Sequence, residues 1–254
     1  MTSLTTATTA SHDALAAALS AAPEQGEDTL LPDSLLLGFD TETTGTYAGR
    51  DAIVSATLVL RDPKAGYAGD TVGEWIISPH RPMNPHASAV NGFTDEFLSE
   101  HGEEPQAAIA RIVQLIETAQ SKRIPLLAYN APFDVRMLAG DLRRWKLGTL
   151  PDDLLVADPL VIDRAISKRS GKRNLSYTAE YYGVEPHGDF HDATADTTVA
   201  VDLIAPISAL YPQVGHLTLA ELMGWQRKAF VAWRDNFNTW LQRKGRQPIH
   251  DTWL

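Results

Sequence analysis

Three short acidic stretches hold the residue types and spacings that hydrolytic chemistry needs. In FDTETTG, Asp40 and Glu42 lie two residues apart at the end of an apolar strand, so both carboxylates leave the same face. Like charges held that close raise one another's pKa, and the pair becomes favourable mainly when a divalent cation lies between them. In YNAPFD, Asn130 is placed to cap a helix whose first turn holds Pro132 and Asp134. In FHDATADTT, His191 stands before a helix that could begin at an Asp192 cap and carry Asp196 on its second turn. Five residues of one regular helix turn through about 500°, so His191 would have to approach from the preceding loop. Taken singly, each stretch has an ordinary structural explanation: a polar strand end entering a turn, an acid favoured by a helix dipole, a capped polar helix. Their joint occurrence, each where a strand ends or a helix begins, points to one centre, because a rigid sheet converges side chains at such positions.

The elements that must position these residues follow from hydrophobic periodicity. A continuous apolar run over 35–40 predicts a buried strand ending at Asp40, with further strands over 53–60 and about 72–78 joined by Gly-containing turns. Three strands on short connections imply an antiparallel meander. Helical patterns then alternate with short strands: helix 104–121, strand 126–129, helix 133–145, strand 154–158, then helices 175–182 and 193–210. The sum is an α/β domain over 31–212, a mixed five-stranded sheet flanked by helices. Residues 1–30, rich in Thr, Ala and Ser, read as a mobile arm in which 12–22 form at most a marginal helix. Residues 213–254 read as a helical appendage, with Met223, Phe230, Trp233, Phe237 and Trp240 on one face.

Composition narrows the chemistry. The 254 residues include no cysteine, which excludes disulfides, thiol catalysis and Cys-ligated zinc and leaves hard cations such as Mg²⁺ or Mn²⁺ on carboxylates. No apolar run approaches the roughly 18–20 residues of a membrane span, and no secretory pattern is evident, so a cytoplasmic protein without a membrane role is expected. The net charge of −10 argues against long duplex contacts, although cations in a carboxylate pocket reverse the local sign. Residues 215–254 carry +3, leaving −13 on the remainder.

At these residues the chain resembles the histidine-containing branch of the DEDD exonuclease superfamily, and within it the proofreading epsilon subunits of bacterial DNA polymerase III. FDTETTG looks like the first motif, NAPFD the second and HDATAD the third, and HRPMNPHASAVNGFTDEFL resembles the loop and helix after the third strand. The resemblance covers roughly 35–210. It implies a ribonuclease-H-like fold and 3′-to-5′ hydrolysis with two Mg²⁺ or Mn²⁺ ions. By similarity, Asp40 bridges both ions, Glu42 and Asp196 complete the first site, Asp134 serves the second and His191 is the general base. It further implies Thr41, Thr43, Phe93, Asn130 and Phe133 as substrate contacts and a single-stranded or frayed DNA 3′ end as substrate. Asn91 and Tyr129 stand where the family often has His. An RNA-trimming activity of the oligoribonuclease or ribonuclease T type and a nonhydrolytic polymerase-associated module are the alternatives. The C-terminal helix could cover the core or dock a DNA polymerase.

Overall fold

The computed structural model describes residues 2–187 and 193–254, with side chains from Ala10 onward. In chain order the described elements are α1 (Thr2–Ala21), β1 (Leu36–Thr43), β2 (Ile53–Arg61), β3 (Thr71–Ile76), α2 (Pro85–Asn91), α3 (Asp95–His101), α4 (Pro105–Ser121) and β4 (Leu126–Leu127). There follow α5 (Pro132–Trp145), β5 (Val156–Ala157), α6 (Pro159–Ile166), α7 (Leu175–Tyr182), α8 (Ala193–Asp202), α9 (Ile204–Leu210), the single turn α10 (Pro212–Gly215) and α11 (Leu219–Arg243). One sheet runs β3-β2-β1-β4-β5, antiparallel across the first three strands and parallel across the last three. The mixed sheet and its meander match the sequence expectation.

Helices cover both faces, which is why every residue of β2 is buried. On one face, Leu37 and Phe39 join Ile109, Ile112 and Ile116 of α4 and Met137 and Leu138 of α5. On the other, Leu36 meets Val201 of α8 and Ile204 and Ile207 of α9. Gly38 belongs to this second contact: a Cβ there would lie 2.7 Å from methyl carbons of both Thr197 and Val201. The bare backbone at Gly38 lets α8 seat directly on β1. Arg61, 6% exposed, anchors the far end of α8 by pairing with Asp202 as well as with Asp70.

The N-terminal segment differs from the expectation. In place of a mobile arm, Leu15 and Leu19 of α1 are fully buried in the main core. His12 Nε2 lies 2.6 Å from the Glu74 carbonyl, and its ring stacks on Trp75 at 4.1 Å. A stripe of three residues at four- and three-residue spacing thus supplies the tertiary packing that an Ala-rich helix lacks alone. The C-terminal helix follows the covering reading of the two expected: α11 packs on α6 and β5, with Phe230 in the first core and Leu219 and Leu222 in the second.

The remaining differences are local. The single helix expected over 193–210 breaks at Leu203, because Pro206 has no N–H to offer Asp202 and its ring crowds that turn. This stretch is apolar enough to compare with a membrane span, yet 61% of it is buried inside the fold as core helix. The short helix α6 was not foreseen, although Asp158-Pro159 is a cap followed by a first-turn proline. Strands β4 and β5 shrink to two residues each, and side-chain amides replace the missing ladder. Gln120 Oε1 accepts from Leu155 N–H at 2.7 Å, and Gln226 Oε1 accepts from Asp158 N–H at 2.8 Å while its Nε2 donates to the Val156 carbonyl at 2.7 Å.

Candidate active site

Strand β1 extends to Thr43, but β4 pairs with it only at Leu37 and Gly38. Past that point one side of β1 has no strand neighbour, and the start of α5 comes in there instead. The site occupies this crevice at the carboxyl ends of the parallel strands, the position at which open α/β sheets place ligands. Asp40 and Glu42 pair with Thr57 and Ser55 of β2 and are both partly exposed, while the alternating Thr41 and Thr43 are buried on the opposite face. Asp134 stands in the first turn of α5, 2% exposed. Asp196 stands in the first described turn of α8.

Electrostatics ties the four acids together. The Asp40 carboxyl is held well above the usual carboxylate range, first by burial and then by the negative charges of Asp134, Glu42 and Asp196. Burial likewise pushes Asp134 up to about 7, against a 2.7 Å hydrogen bond donated by the Thr41 hydroxyl. Among the described residues no three His, Asp or Glu side chains are drawn closely enough to form a coordination sphere. The fit to hard divalent cations therefore rests on donor type and shared charge: oxygen ligands from three elements that repel one another in one crevice.

The other expected residues divide. His191, with its neighbour Asp192, lies outside the described residues. The Thr41 hydroxyl is committed to Asp134, and the Thr43 hydroxyl donates to the Gly45 carbonyl at 2.7 Å, so neither side chain is turned toward a substrate as expected. Asn130 does not cap α5 through its side chain. It takes a left-handed turn with φ +68°, and the N-cap is Ala131. Phe133 is partly buried against the main core. Phe93 packs beside Val54, Met83 and Leu98, and its turn is tied to the end of β1 by Asn91, which donates to the Thr43 carbonyl and accepts from Phe93 N–H, both at 3.2 Å. Tyr129 is engaged below, donating to the Arg173 carbonyl at 2.6 Å, with burial pushing its hydroxyl up to about 12.

Sequence reasoning missed the group that holds the second motif. Asp158, 1% exposed at the end of β5, accepts from the N–H groups of Asn130 and Ala131 at 3.1 Å and from those of Leu160 and Val161. One carboxylate thus caps two helix starts. The DPL signature announces the cap on α6, but nothing local announces the one on α5.

A five-stranded mixed sheet in this order, flanked by helices on both faces and with four acids sharing one crevice, is a ribonuclease-H-like architecture. The chain belongs to the exonuclease family of ribonuclease T type, whose model matches residues 37–204. It is 32% identical over 173 residues to DNA polymerase III subunit epsilon of Haemophilus influenzae, covering 65% of this chain and 63% of that protein. It is 24% identical over 189 residues to DNA polymerase III PolC-type of Staphylococcus aureus, covering 72% of this chain and 12% of that one. The chain thus spans less than two thirds of the length of either relative. The fold is shared with E. coli exonuclease I solved in complex with a dA16 oligonucleotide, at a TM-score of 0.59 and 22% identity over 71% of this chain and 42% of the other.

Proposed function

We propose that the chain is a metal-dependent 3′-to-5′ exonuclease that releases nucleoside monophosphates from DNA 3′ ends, in proofreading or in DNA repair and degradation. The observation that carries the reading is the convergence of Asp134, Glu42 and Asp196 on Asp40 within a chain of the exonuclease family. Asp40 would serve both of two Mg²⁺ or Mn²⁺ ions, Glu42 and Asp196 the first and Asp134 the second. Two such cations would neutralise charge on the scissile phosphate and acidify an attacking water.

The protein's own part is to hold four carboxylates in place and to take one proton. His191 is assigned the proton, since an imidazole with an ordinary pKa near 6.5 can accept it at neutral pH. Phe93 would flank the terminal nucleotide beside the end of β1, with backbone at Thr41 and Thr43 facing it. Asn130 and Phe133 would border the same crevice. A DNA polymerase is the proposed partner, met by the exposed basic residues Arg227, Lys228, Arg243 and Lys244 of the C-terminal segment.

Digestion of 3′-labelled and 5′-labelled single-stranded oligonucleotides with Mg²⁺ or Mn²⁺ tests the reading. Nucleotides should leave the 3′ end one at a time, and Asp40→Ala should abolish the reaction with the fold intact. Metal-dependent activity unchanged in that variant would refute the site, and faster cutting of a matched RNA would move the substrate to the ribonuclease branch. His191→Ala should slow the reaction by roughly 10²–10⁴.

A further inference from the structure

Asp158 receives a fifth donor from far along the chain. Trp253, 3% exposed, gives its indole N–H to Asp158 Oδ2 at 3.0 Å, the oxygen that also accepts from Ala131 N–H. We propose that Trp253 is a positioning residue for Asp134, its indole completing the donor set through which Asp158 holds the turn that starts α5. The inference rests on the exonuclease reading of the site, because Asp134 matters only if the carboxylates do the chemistry.

Three observations support it. The held turn has a defined shape: Asn130, four residues before Asp134, sits at φ +68°, the left-handed conformation that asparagine tolerates, and the hydrogen bonds around it fix that turn. The two N–H groups at that turn, those of Asn130 and Ala131, both end on Asp158. The helix carrying Asp134 also grips the tail directly, since Arg136 donates to the carbonyls of Thr252 at 2.8 Å and Trp253 at 3.2 Å. The tail is guided there from α11, where the Asn238 amide exchanges two 2.8 Å hydrogen bonds with the backbone of Ile249.

Indole is a donor only, so Trp253 can serve Asp158 solely through its N–H. Phenylalanine retains an aromatic ring for packing and deletes that donor. A residue that merely fills the core would, when changed, lower the melting temperature alone. A positioning residue alters the site while the fold persists.

The test uses the full chain with Trp253→Phe, an oligonucleotide substrate, Mn²⁺ titration and amide hydrogen exchange. The expected result is a kcat lower by about tenfold with KM nearly unchanged, and a half-saturating Mn²⁺ concentration raised by about tenfold, as for other groups that orient metal ligands. Exchange at the Asn130 and Ala131 amides should accelerate while the sheet amides keep their protection. If Trp253→Phe does not fold, Arg136→Ala, which loosens the tail at its backbone only, should move the same readouts in the same direction. Wild-type kcat, Mn²⁺ requirement and amide protection in the folded variant would overturn the inference. A wild-type protein that digests nothing, with the two amides still released in the variant, would instead sink the exonuclease reading and leave the positioning role standing.

Discussion

At the scale of single residues, the site is a store of electrostatic repulsion that the rest of the fold holds in check. Asp134 has its carboxyl pushed up to about 7 by burial, and Asp40 is raised as well. A carboxyl whose pKa is higher folded than unfolded favours folding most below the unfolded value, about 3.9, and loses that contribution as pH rises through the folded one. In chelator, the melting temperature of the wild type should therefore fall between about pH 4 and about pH 7. Asp134→Asn should flatten that fall, and Mn²⁺ should raise the wild-type melting temperature most above pH 7. A wild-type profile identical to that of Asp134→Asn would show that the charge is not felt. The carboxylates themselves were legible because motif order and spacing survive in one dimension. Their partners were less so: the Thr41 hydroxyl could be named as near the site, but its commitment to Asp134 depends on α5 filling the slot that β4 leaves.

At the scale of elements, close approach and amide substitution decide where the acids stand. Gly38→Ala would place a Cβ against Thr197 and Val201 and lift the helix that carries Asp196. Activity should fall more steeply than melting temperature, and a variant that loses only stability would argue that α8 is not positioned through this contact. Gln226→Leu strips partners from the buried Asp158 N–H and Val156 carbonyl, at a cost of about 1–3 kcal/mol for each group left unsatisfied. Denaturant titration reads that directly. Leu15→Ala should cost roughly 2–5 kcal/mol, the range for a buried leucine in a close-packed core, whereas an arm free of the core would cost nothing. Periodicity revealed α4, α5 and α7 because each buries one regular face, and continuous apolar runs revealed the meander, whose first two strands are covered on both faces. It failed at α1, where three anchors are scattered among Ala and Thr. It also overextended β4 and β5, whose ladders are completed by glutamines distant in sequence.

At the scale of the whole molecule, net charge limits how nucleic acid can be held. With −10 overall and the positive excess confined to 215–254, few phosphates can be neutralised at once. For single strands the slope of log affinity against log salt is about −0.7 per phosphate, so two to four contacts predict a slope of roughly −1.4 to −2.8. A slope near −7 would require an extended track that the charge distribution does not provide. The tail that carries Trp253 had no sequence signal for its destination, since a tryptophan near an acidic residue reads the same whether it is seated or free.

The side-chain amide on β5 and the imidazole on β3 also bear on self-association. The outward groups of β5 are occupied by Gln226, and those of β3 at Glu74 and Ile76 by His12 and Glu103. Strand addition needs an open row of such groups, and both margins of this sheet are blunted. The protein should therefore resist edge-to-edge aggregation at high concentration, and Gln226→Leu and His12→Ala should be the variants in which light scattering first rises.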